Sequence, residues 1–277
     1  MNKSVENVYN TLFKFESRFR LKHGQQSYPI HKKLAFEKDI QSLTGWIEQL
    51  VDIPDNAHIL DAGCGTGNTL LELCRGHERT GLGISVSQKE IEFASEKNAL
   101  NDQCRFMVQS YDKPFTEKFD LIVAIESLKH SDDLQKSMVN LTNHLKKGGR
   151  MVIIDDFLIH RNTIANKKIT NKHPVGHYEN SIKKNWSAAH LFSKNELINI
   201  LDKMGYQHET FDLTPFVKRS RKFFLPIKLL SLYMLTIMIT PFKKHHIFRI
   251  FYAGYCLEQL YRIGKMKYLT FVTDKRS

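Results

Sequence analysis

The segment ESLKH, residues 126–130, follows the fourth apolar stretch of the chain and carries two side chains suited to chemistry. An imidazole titrates near neutral pH, so His130 can take a proton from a substrate or orient one. The alternative for His130 is a surface histidine that caps a helix starting near Asp132. Glu126 comes directly after the strand end and can bind a ligand, with a solvated carboxylate as the alternative.

A glycine-rich turn stands earlier in the chain, in ILDAGCGTGNT at residues 59–69. Gly63, Gly65 and Gly67 permit positive φ angles and let the backbone come close to a ligand. Asp61 ends the apolar run before the turn, and a helix-like LLELC follows it. The spacing differs from the GxGxxG of dinucleotide-binding folds. Strand, turn and helix therefore follow one another in the order that a ligand-binding turn requires.

Polar residues also follow the second and third apolar stretches. Folds that bind an adenosine-containing cofactor usually end the second strand in Asp or Glu, because an ionised carboxylate accepts from both ribose hydroxyls. Ser85 stands in that place here, and Gln88 follows it. After the third stretch, VQSYDKPF contains Gln109 and Ser110, while Asp112 is predicted to be a turn residue.

Alternating strands and helices position these residues. The predicted strands are AHILDA, TGLGIS, CRFMVQ, FDLIVAI, RMVIIDD, HETFDLT and MKYLTFVTD, and helical segments separate most of them. This alternation predicts an α/β, Rossmann-like fold, with a mostly parallel sheet and helices on both faces. Ligands of such sheets bind over the carboxyl ends of the strands. The candidate residues at those ends are Gly63, Ser85, Gln109 and Glu126.

Two regions outside this alternation have distinct patterns. Residues 1–50 alternate apolar and charged positions in helical fashion, so we predict an N-terminal helical cap before a main domain at 51–277. Residues 157–184 are polar and basic without an apolar period. They are predicted to form a long loop, and such loops often serve as lids in compact enzymes.

An apolar insertion at about 215–263 precedes the last predicted strand and is framed by lysines and arginines. We predict that it forms helices that roof a substrate pocket in the manner of a lid. For its stretch 223–242 the alternative is peripheral contact with a membrane interface. Lys228 and two prolines make a spanning helix the poorest of the three interpretations.

Composition narrows the possible partners. The chain is 42% hydrophobic, enough for a large core, and its four cysteines lack C-x-x-C pairing, as expected for a reducing compartment. The net charge of +12 is spread along the chain without a nucleic-acid-binding motif. This favours an anionic membrane surface, or an anionic group of the substrate, over nucleic acid as the partner of the charge. Proline and glycine between His173 and His177 argue against a metal site. The charged N-terminus lacks a signal-peptide core, so we expect a cytoplasmic protein.

These motifs resemble those of class I S-adenosylmethionine-dependent small-molecule methyltransferases, specifically the group of sterol C-24, tocopherol and indolocarbazole-sugar methyltransferases. The resemblance covers residues 59–156 well: a D-x-G-x-G-x-G turn cradles S-adenosylmethionine in that class, and ESLKH resembles the E-S-x-x-H of that group. It implies that Asp61 and the three glycines bind this cofactor.

The resemblance also implies partners for the cofactor's adenosine part. The second strand of that group ends in G-I-x-x-S-x-x-Q rather than in an acid, so it implies that Ser85 and Gln88 are neutral partners of the ribose. Gln88 has the alternative of a surface residue that follows a helix N-cap at Ser87. Gln109 and Ser110 take the place of the group's common Asp, and the Gln109 carbonyl can accept from the adenine amino group.

The function implied is methyl transfer to an apolar small molecule, an isoprenoid or another natural product, with C-methylation favoured over O- or N-methylation. In-line displacement needs alignment, exclusion of water and removal of a proton, for which His130 is the candidate. A non-enzymatic alternative is a catalytically inactive, methyltransferase-like partner subunit, because Ser85 and Gln109 replace acids. The sequence leaves the substrate and the oligomeric state undefined.

Overall fold

The structure is a computed structural model that describes residues 3–20, 34, 42–99, 102–159, 174–217 and 246–275. Seven strands form one sheet in this part of the chain: β1 (His58–Ala62), β2 (Thr80–Ser85), β3 (Cys104–Val108), β4 (Phe119–Ile125), β5 (Leu145–Leu158), β6 (Tyr206–Asp212) and β7 (Met266–Lys275). The described residues also contain eight helices: α1 (Lys3–Arg20), α2 (Leu43–Leu50), α3 (Asn68–Cys74), α4 (Gln88–Lys97), α5 (Leu134–Asn143), α6 (Pro174–Trp186), α7 (Lys194–Lys203) and α8 (His246–Arg262).

The strand order is β3-β2-β1-β4-β5-β7-β6. The first five strands pair in parallel, whereas β7 runs antiparallel between β5 and β6. Parallel strands require crossover connections, and the helices between them supply these connections and cover the sheet. The predicted fold class, a Rossmann-like and mostly parallel α/β sheet, is confirmed.

Two apolar cores lie on the two faces of the sheet. In β4, Leu121, Val123 and Ile125 pack into one core, while Ile122 and Ala124 pack into the other. Successive side chains of a strand point to opposite faces, so a strand buried on both sides needs the continuous apolar run FDLIVAI. Helices α2, α3, α6 and α8 contribute to the first core and α5 and α7 to the second. The predicted placement of helices on both faces is thereby confirmed.

The predicted long loop at 157–184 is wrong at both of its ends. Strand β5 continues through Phe157 and Leu158, which pair with β7. Helix α6 occupies the other end and buries Val175 and Ile182. The few apolar positions of this helix are widely spaced among polar residues, so the helical period of its sequence was not visible. They are buried because the helix packs against α8. Residues 160–173 lie outside the described residues.

Helices occur where the sequence predicts the N-terminal cap, in α1 and α2, and α8 lies within the predicted insertion. The stretch 223–242 lies outside the described residues, so its role as a lid or membrane contact stays a prediction. The division into a cap, a main domain and an insertion also stays a prediction. Among the helices in the described ranges, none is long and apolar enough to cross a membrane.

Candidate active site

A cavity of about 450 Å³ lies over the carboxyl ends of β1, β2 and β4. Its volume is typical of small-molecule sites, which span about 300–1,000 Å³. The lining comes from the glycine turn, the end of β2, the segment after β3, ESLKH, α1 and the end of α6. The cavity brings together seven predicted site residues, namely Gly63, Gly65, Ser85, Gln109, Ser110, Glu126 and His130. Three others, Asp61, Gly67 and Gln88, are outside its lining.

The glycine turn has the backbone geometry that its sequence predicts. Gly63, Gly65 and Gly67 have φ angles of 102°, 52° and 77°. A Cβ on Gly63 would lie 2.4 Å from the Cβ of Ser127, a distance that real side chains do not tolerate. The backbone amide of Gly63 donates to the Ile84 carbonyl at 2.9 Å, which joins the turn to the end of β2. Glycine therefore lets this turn, the glycine cradle, pack closely against the segment that follows β4.

Asp61 lies beneath this turn and away from the cavity lining. Its carboxylate accepts a hydrogen bond from the backbone of Leu70, and its Oδ2 is buried without a hydrogen-bond partner among the described residues. Burial raises the pKa of Asp61 to about 7. The observed contact places the carboxylate at the first turn of α3, where a negative charge interacts favourably with the helix N-terminus. Direct contact of Asp61 with a cofactor stays a prediction.

A buried carboxylate lies at the end of β2 after all, and it belongs to Glu90. The Ser85 hydroxyl donates to Glu90 Oε2 at 2.8 Å, and Glu90 lines the cavity while only 5% exposed. The Ser85 hydroxyl proton is thus committed to a carboxylate. That Ser85 itself binds the ribose stays a prediction, and Glu90 is a further candidate at the same strand end. Gln88 is exposed and donates to Glu92 at 3.0 Å, as its surface alternative predicts.

The start of α4 explains why Glu90 and not Gln88 turns inward. Ser87 is the N-cap, and its hydroxyl accepts from the Glu90 amide at 3.3 Å. The third helical residue therefore lies over the strand end, while Gln88 at the first helical position faces solvent. The sequence did contain this signal. Counted from Gly83, the motif G-I-x-x-S-x-x-Q puts Ser87 at the serine place and Glu90 at the glutamine place.

The segment after β3 supplies a polar wall of the cavity. The Gln109 amide donates weakly to the Pro114 carbonyl at 3.4 Å. Ser110 and Asp112 form the predicted turn, in which the Ser110 hydroxyl donates to Asp112 Oδ2 at 3.2 Å and accepts from the Asp112 amide. Asp112 also lines the cavity, a position that its interpretation as a turn residue did not include. These side chains face the same space as Glu90.

His130 is held on both ring nitrogens. Nδ1 lies 3.3 Å from the Ser187 carbonyl, which can only accept, so this nitrogen carries the proton. Nε2 must then be the acceptor of the Tyr9 hydroxyl at 2.8 Å. Burial, followed by the nearby Lys129 charge, lowers the pKa of His130 to about 3. The ring is a neutral acceptor at physiological pH, and Asp133, rather than His130, caps the following helix.

Glu126, which lines the same cavity as His130, has a strained backbone conformation. Its φ of 52° is in the left-handed region, which costs a residue other than glycine about 1–3 kcal/mol. Two hydrogen bonds hold it there: its amide donates to the Ile154 carbonyl at 2.7 Å, and its Oε1 accepts from the Tyr268 hydroxyl at 2.9 Å. Strain of this kind is concentrated at functional sites, and here it directs a carboxylate into the cavity.

Lys129 is a site residue that the sequence did not reveal. It is buried, with its ammonium 3.2 Å from Asp155 and 3.5 Å from Asp156, and it lies over the ring of Trp186. Burial alone would lower the pKa of Lys129, but the carboxylates, first that of Asp155, raise it well above its ordinary value. Lysine is rarely buried unless it is paired, and the partners of Lys129 come from β5, more than 25 positions away in the sequence. In the sequence, Lys129 only occupies one of the two variable positions of E-S-x-x-H.

Helix α1 supplies the apolar wall of the cavity, through Val5, Val8, Tyr9, Leu12 and Phe13. These positions are three or four residues apart and form one face of the helix. The Asn10 side chain accepts from the Ser87 hydroxyl at 2.9 Å, which attaches α1 to the start of α4. The helical period was visible in the sequence, but the site that this face covers was not.

These residues fit the expected S-adenosylmethionine. The glycine cradle admits a ligand against the backbone, and the buried Glu90 carboxylate offers an acceptor at the strand end next to it. The Thr66 hydroxyl lines the cavity and is buried without a hydrogen-bond partner among the described residues. A buried hydroxyl of this kind ordinarily has a partner, which a ligand in the cradle would provide.

Comparison with known proteins gives one sequence family, described as a methyltransferase domain, which matches residues 53–214. The O-methyltransferase rstn1 of Aspergillus nomiae is 36% identical over 129 residues, covering 45% of this chain and 57% of that protein. The sterol 4-C-methyltransferase strm-1 of Caenorhabditis elegans is 33% identical over 125 residues, covering 43% of this chain and 37% of that protein. The chain thus spans about half the length, or less, of these relatives.

Two solved structures share the fold. A mycolic acid cyclopropane synthase superposes with a TM-score of 0.73 at 17% identity, covering 99% of this chain and 98% of that one. The geranyl diphosphate C-methyltransferase of Streptomyces coelicolor, solved with S-adenosyl-L-homocysteine, superposes with a TM-score of 0.60 at 18% identity, covering 83% and 76% of the two chains. Both superpositions cover more of this chain than the family match at residues 53–214 does, so the likeness in fold extends beyond those residues.

Proposed function

Because the chain belongs to the methyltransferase domain family, we propose that it transfers the methyl group of S-adenosylmethionine to an apolar small molecule, an isoprenoid or another natural product. The family membership supports the predicted enzyme class, and a solved structure of the same fold that holds S-adenosyl-L-homocysteine supports the predicted cofactor. One observation carries the proposal: the glycine cradle, the buried Glu90 and the His130 ring face a single cavity.

The cofactor would lie against the residues at the ends of β1, β2 and β3. The glycine turn and Thr66 would hold its amino-acid part, Glu90 its ribose, and Gln109 with Ser110 its adenine. When bound, S-adenosylmethionine supplies a methyl group on a positively charged sulfur. The protein aligns the accepting atom with that group, excludes water from the cavity and removes a proton.

An apolar substrate is favoured by the wall that α1 contributes. Val5, Val8, Leu12 and Phe13 present side chains without hydrogen-bonding groups to the cavity, and Trp186 lies opposite. A polar substrate would lose its hydration against this wall without compensation. The proteins named for sterols and for geranyl diphosphate act, by their names, on molecules with a large apolar hydrocarbon part.

C-methylation is favoured by the acidic groups in and behind the cavity wall. Glu126 lines the cavity, Asp155 and Asp156 lie buried beside Lys129, and these three carboxyl groups outnumber its single ammonium. When the electron pair of an alkene attacks a methyl group, the product is a carbocation, and surplus negative charge stabilises it. Phe13 and Trp186 add aromatic faces, which also attract cations.

O-methylation is the second candidate and has its own observation. The Tyr9 hydroxyl and His130 form a neutral hydrogen-bonded pair, suited to holding a substrate hydroxyl. The 36% identical relative is named an O-methyltransferase. N-methylation has less support, because a methylated amine keeps its proton far more strongly than a neutral His130 would attract it.

The test is incubation of the pure protein with methyl-labelled S-adenosylmethionine and a lipid extract of the source organism. Label in an apolar product supports the proposal, and mass spectrometry locates the methyl group on carbon or oxygen. Gly65→Val is the negative control, since a branched side chain would occupy the cradle. Tight binding of S-adenosylhomocysteine without any labelled product would instead support an inactive partner subunit.

A further inference from the structure

Tyr9 lies outside the residues matched by the family, on the helix that walls the cavity. It reaches the ESLKH segment across 121 positions of sequence, and its hydroxyl lies 2.8 Å from His130 Nε2. The two rings also contact edge to face, with centroids 5.3 Å apart. Both residues line the cavity. The contact therefore places a phenol beside the histidine at the edge of the space that a substrate would occupy.

The direction of this hydrogen bond follows from the other side of the ring. The Ser187 carbonyl takes the proton of Nδ1, which leaves Nε2 with a lone pair only. Tyr9 must therefore donate to His130, and the lone pairs of the phenol oxygen are not used in that bond. An oxygen with this arrangement can accept one proton while it passes its own to the imidazole.

Resting on the proposed function, we propose that Tyr9 is a catalytic residue that accepts the proton leaving the methylated substrate and relays its own proton to His130 Nε2. The bond between that hydrogen and the substrate oxygen or carbon breaks, and a new O–H bond forms on Tyr9. At the same time the original O–H bond of Tyr9 breaks and an N–H bond forms on His130. Tyr9 ends neutral, and His130 ends as an imidazolium that returns its proton to water after product release.

Burial, together with the charges around the pair, keeps both members neutral at rest. Burial raises the pKa of Tyr9 above its ordinary value, opposed by Lys129 and assisted by Glu90, Glu126 and Asp155. The depressed pKa of His130 means that only a strongly acidic proton can reach it. A protonated ether and a carbocation are such acids, whereas an ammonium is not. The relay therefore serves O- or C-methylation and not N-methylation.

Nuclear magnetic resonance of 15N-histidine-labelled protein with S-adenosylhomocysteine tests the resting state. We expect His130 to show a protonated Nδ1, an unprotonated Nε2 and no titration between pH 5 and 8. In Tyr9→Phe, loss of the donor to Nε2 should raise the pKa of His130, because that bond favours the neutral ring. A wild-type His130 that carries its proton on Nε2, or titrates near pH 6.5, overturns the relay.

Methyl transfer to the lipid extract tests the relay in turnover, with rates read as label incorporated per minute. Tyr9→Phe should lower the maximal rate about 100-fold or more, the low end of general acid–base effects, with the dissociation constant of S-adenosylhomocysteine within twofold of wild type. Tyr255→Phe is the matched control, since this tyrosine stacks on Tyr252 outside the cavity. It should keep the wild-type rate.

The double variant Tyr9→Phe/His130→Ala separates a relay from two independent effects. Members of one relay lose the same step, so the double variant should be no slower than the slower single variant within about threefold. Multiplied losses, or an unchanged rate in Tyr9→Phe, overturn the proposal. If wild-type protein labels nothing, the proposed function fails, and the resonance experiment alone then decides the state of the Tyr9–His130 pair.

Discussion

Replacement of Glu90 by Gln tests whether the carboxylate at the end of β2 holds the cofactor ribose. Gln has nearly the same shape, and its amide oxygen can still accept from the Ser85 hydroxyl, 2.8 Å away in the wild type. The variant therefore changes the charge of one acceptor and little else. Hydrogen bonds to charged groups contribute about 1.5–3 kcal/mol and neutral ones about 1 kcal/mol. Each of the two bonds to the ribose hydroxyls then loses about 0.5–2 kcal/mol, so the total loss is about 1–4 kcal/mol, which weakens binding roughly 5- to 900-fold.

The assay is isothermal titration calorimetry with S-adenosylhomocysteine, which cannot donate a methyl group. Glu92→Gln is the matched control, because Glu92 is exposed on the same helix and should bind as the wild type does. Ser85→Ala should give a smaller loss of about 1 kcal/mol, since it removes a neutral group that orients Glu90. A dissociation constant for Glu90→Gln within twofold of wild type, at an unchanged melting temperature, would refute the assignment of Glu90 to the ribose.

Gly63→Ala should destabilise the fold, measured by urea unfolding, by several kcal/mol more than Gly76→Ala, because both residues have positive φ but only the Cβ at 63 meets another side chain, at 2.4 Å. Equal losses in the two variants would contradict the close approach of the turn to Ser127. Asp61→Asn should raise the melting temperature relative to wild type by an amount that grows from pH 4 to pH 7 and then levels off. The folded-state pKa of Asp61 is raised to about 7, so the wild type is most stable with this carboxyl group protonated and loses stability as the pH rises from about 4 to 7. A pH-independent difference between the two proteins would argue against the raised pKa. Lys129→Met should cost about 3–5 kcal/mol by urea unfolding, because it leaves Asp155 and Asp156 buried without their cation. Adding Asp155→Asn should recover part of that loss, and no recovery would mean that the pair is not coupled.

The depressed basicity of His130 bears on how the site works. A base with a pKa of about 3 is neutral across the physiological range, so it is always ready to accept a proton and holds one only weakly. Burial causes this more than the Lys129 charge does. The ESLKH motif alone suggested a histidine that titrates near neutrality, and it was the surroundings of the ring that changed the kind of proton it can accept.

The sequence by itself determined the features that depend on near neighbours in the chain. All seven strands were predicted, and the central ones stood out as apolar runs, because a strand buried on both faces needs consecutive apolar residues. The turn at Gly63, Gly65 and Gly67 was identified for a similar reason, since positive φ angles are a local property of the backbone. The ESLKH segment followed from its place after a strand, because parallel strand ends meet at one edge of the sheet.

Tertiary structure alone decided which side chains meet there. Tyr9 and His130 are 121 positions apart, and Lys129 pairs with carboxylates from β5, so no local pattern links them. Glu90 lay within a motif, but its direction depends on how Ser87 caps α4 over the end of β2. Helix α6 likewise needed α8 as a packing partner. Charges, hydrogen bonds and apolar contacts act over distances of a few ångströms in space, and only the folded chain brings these residues within that range.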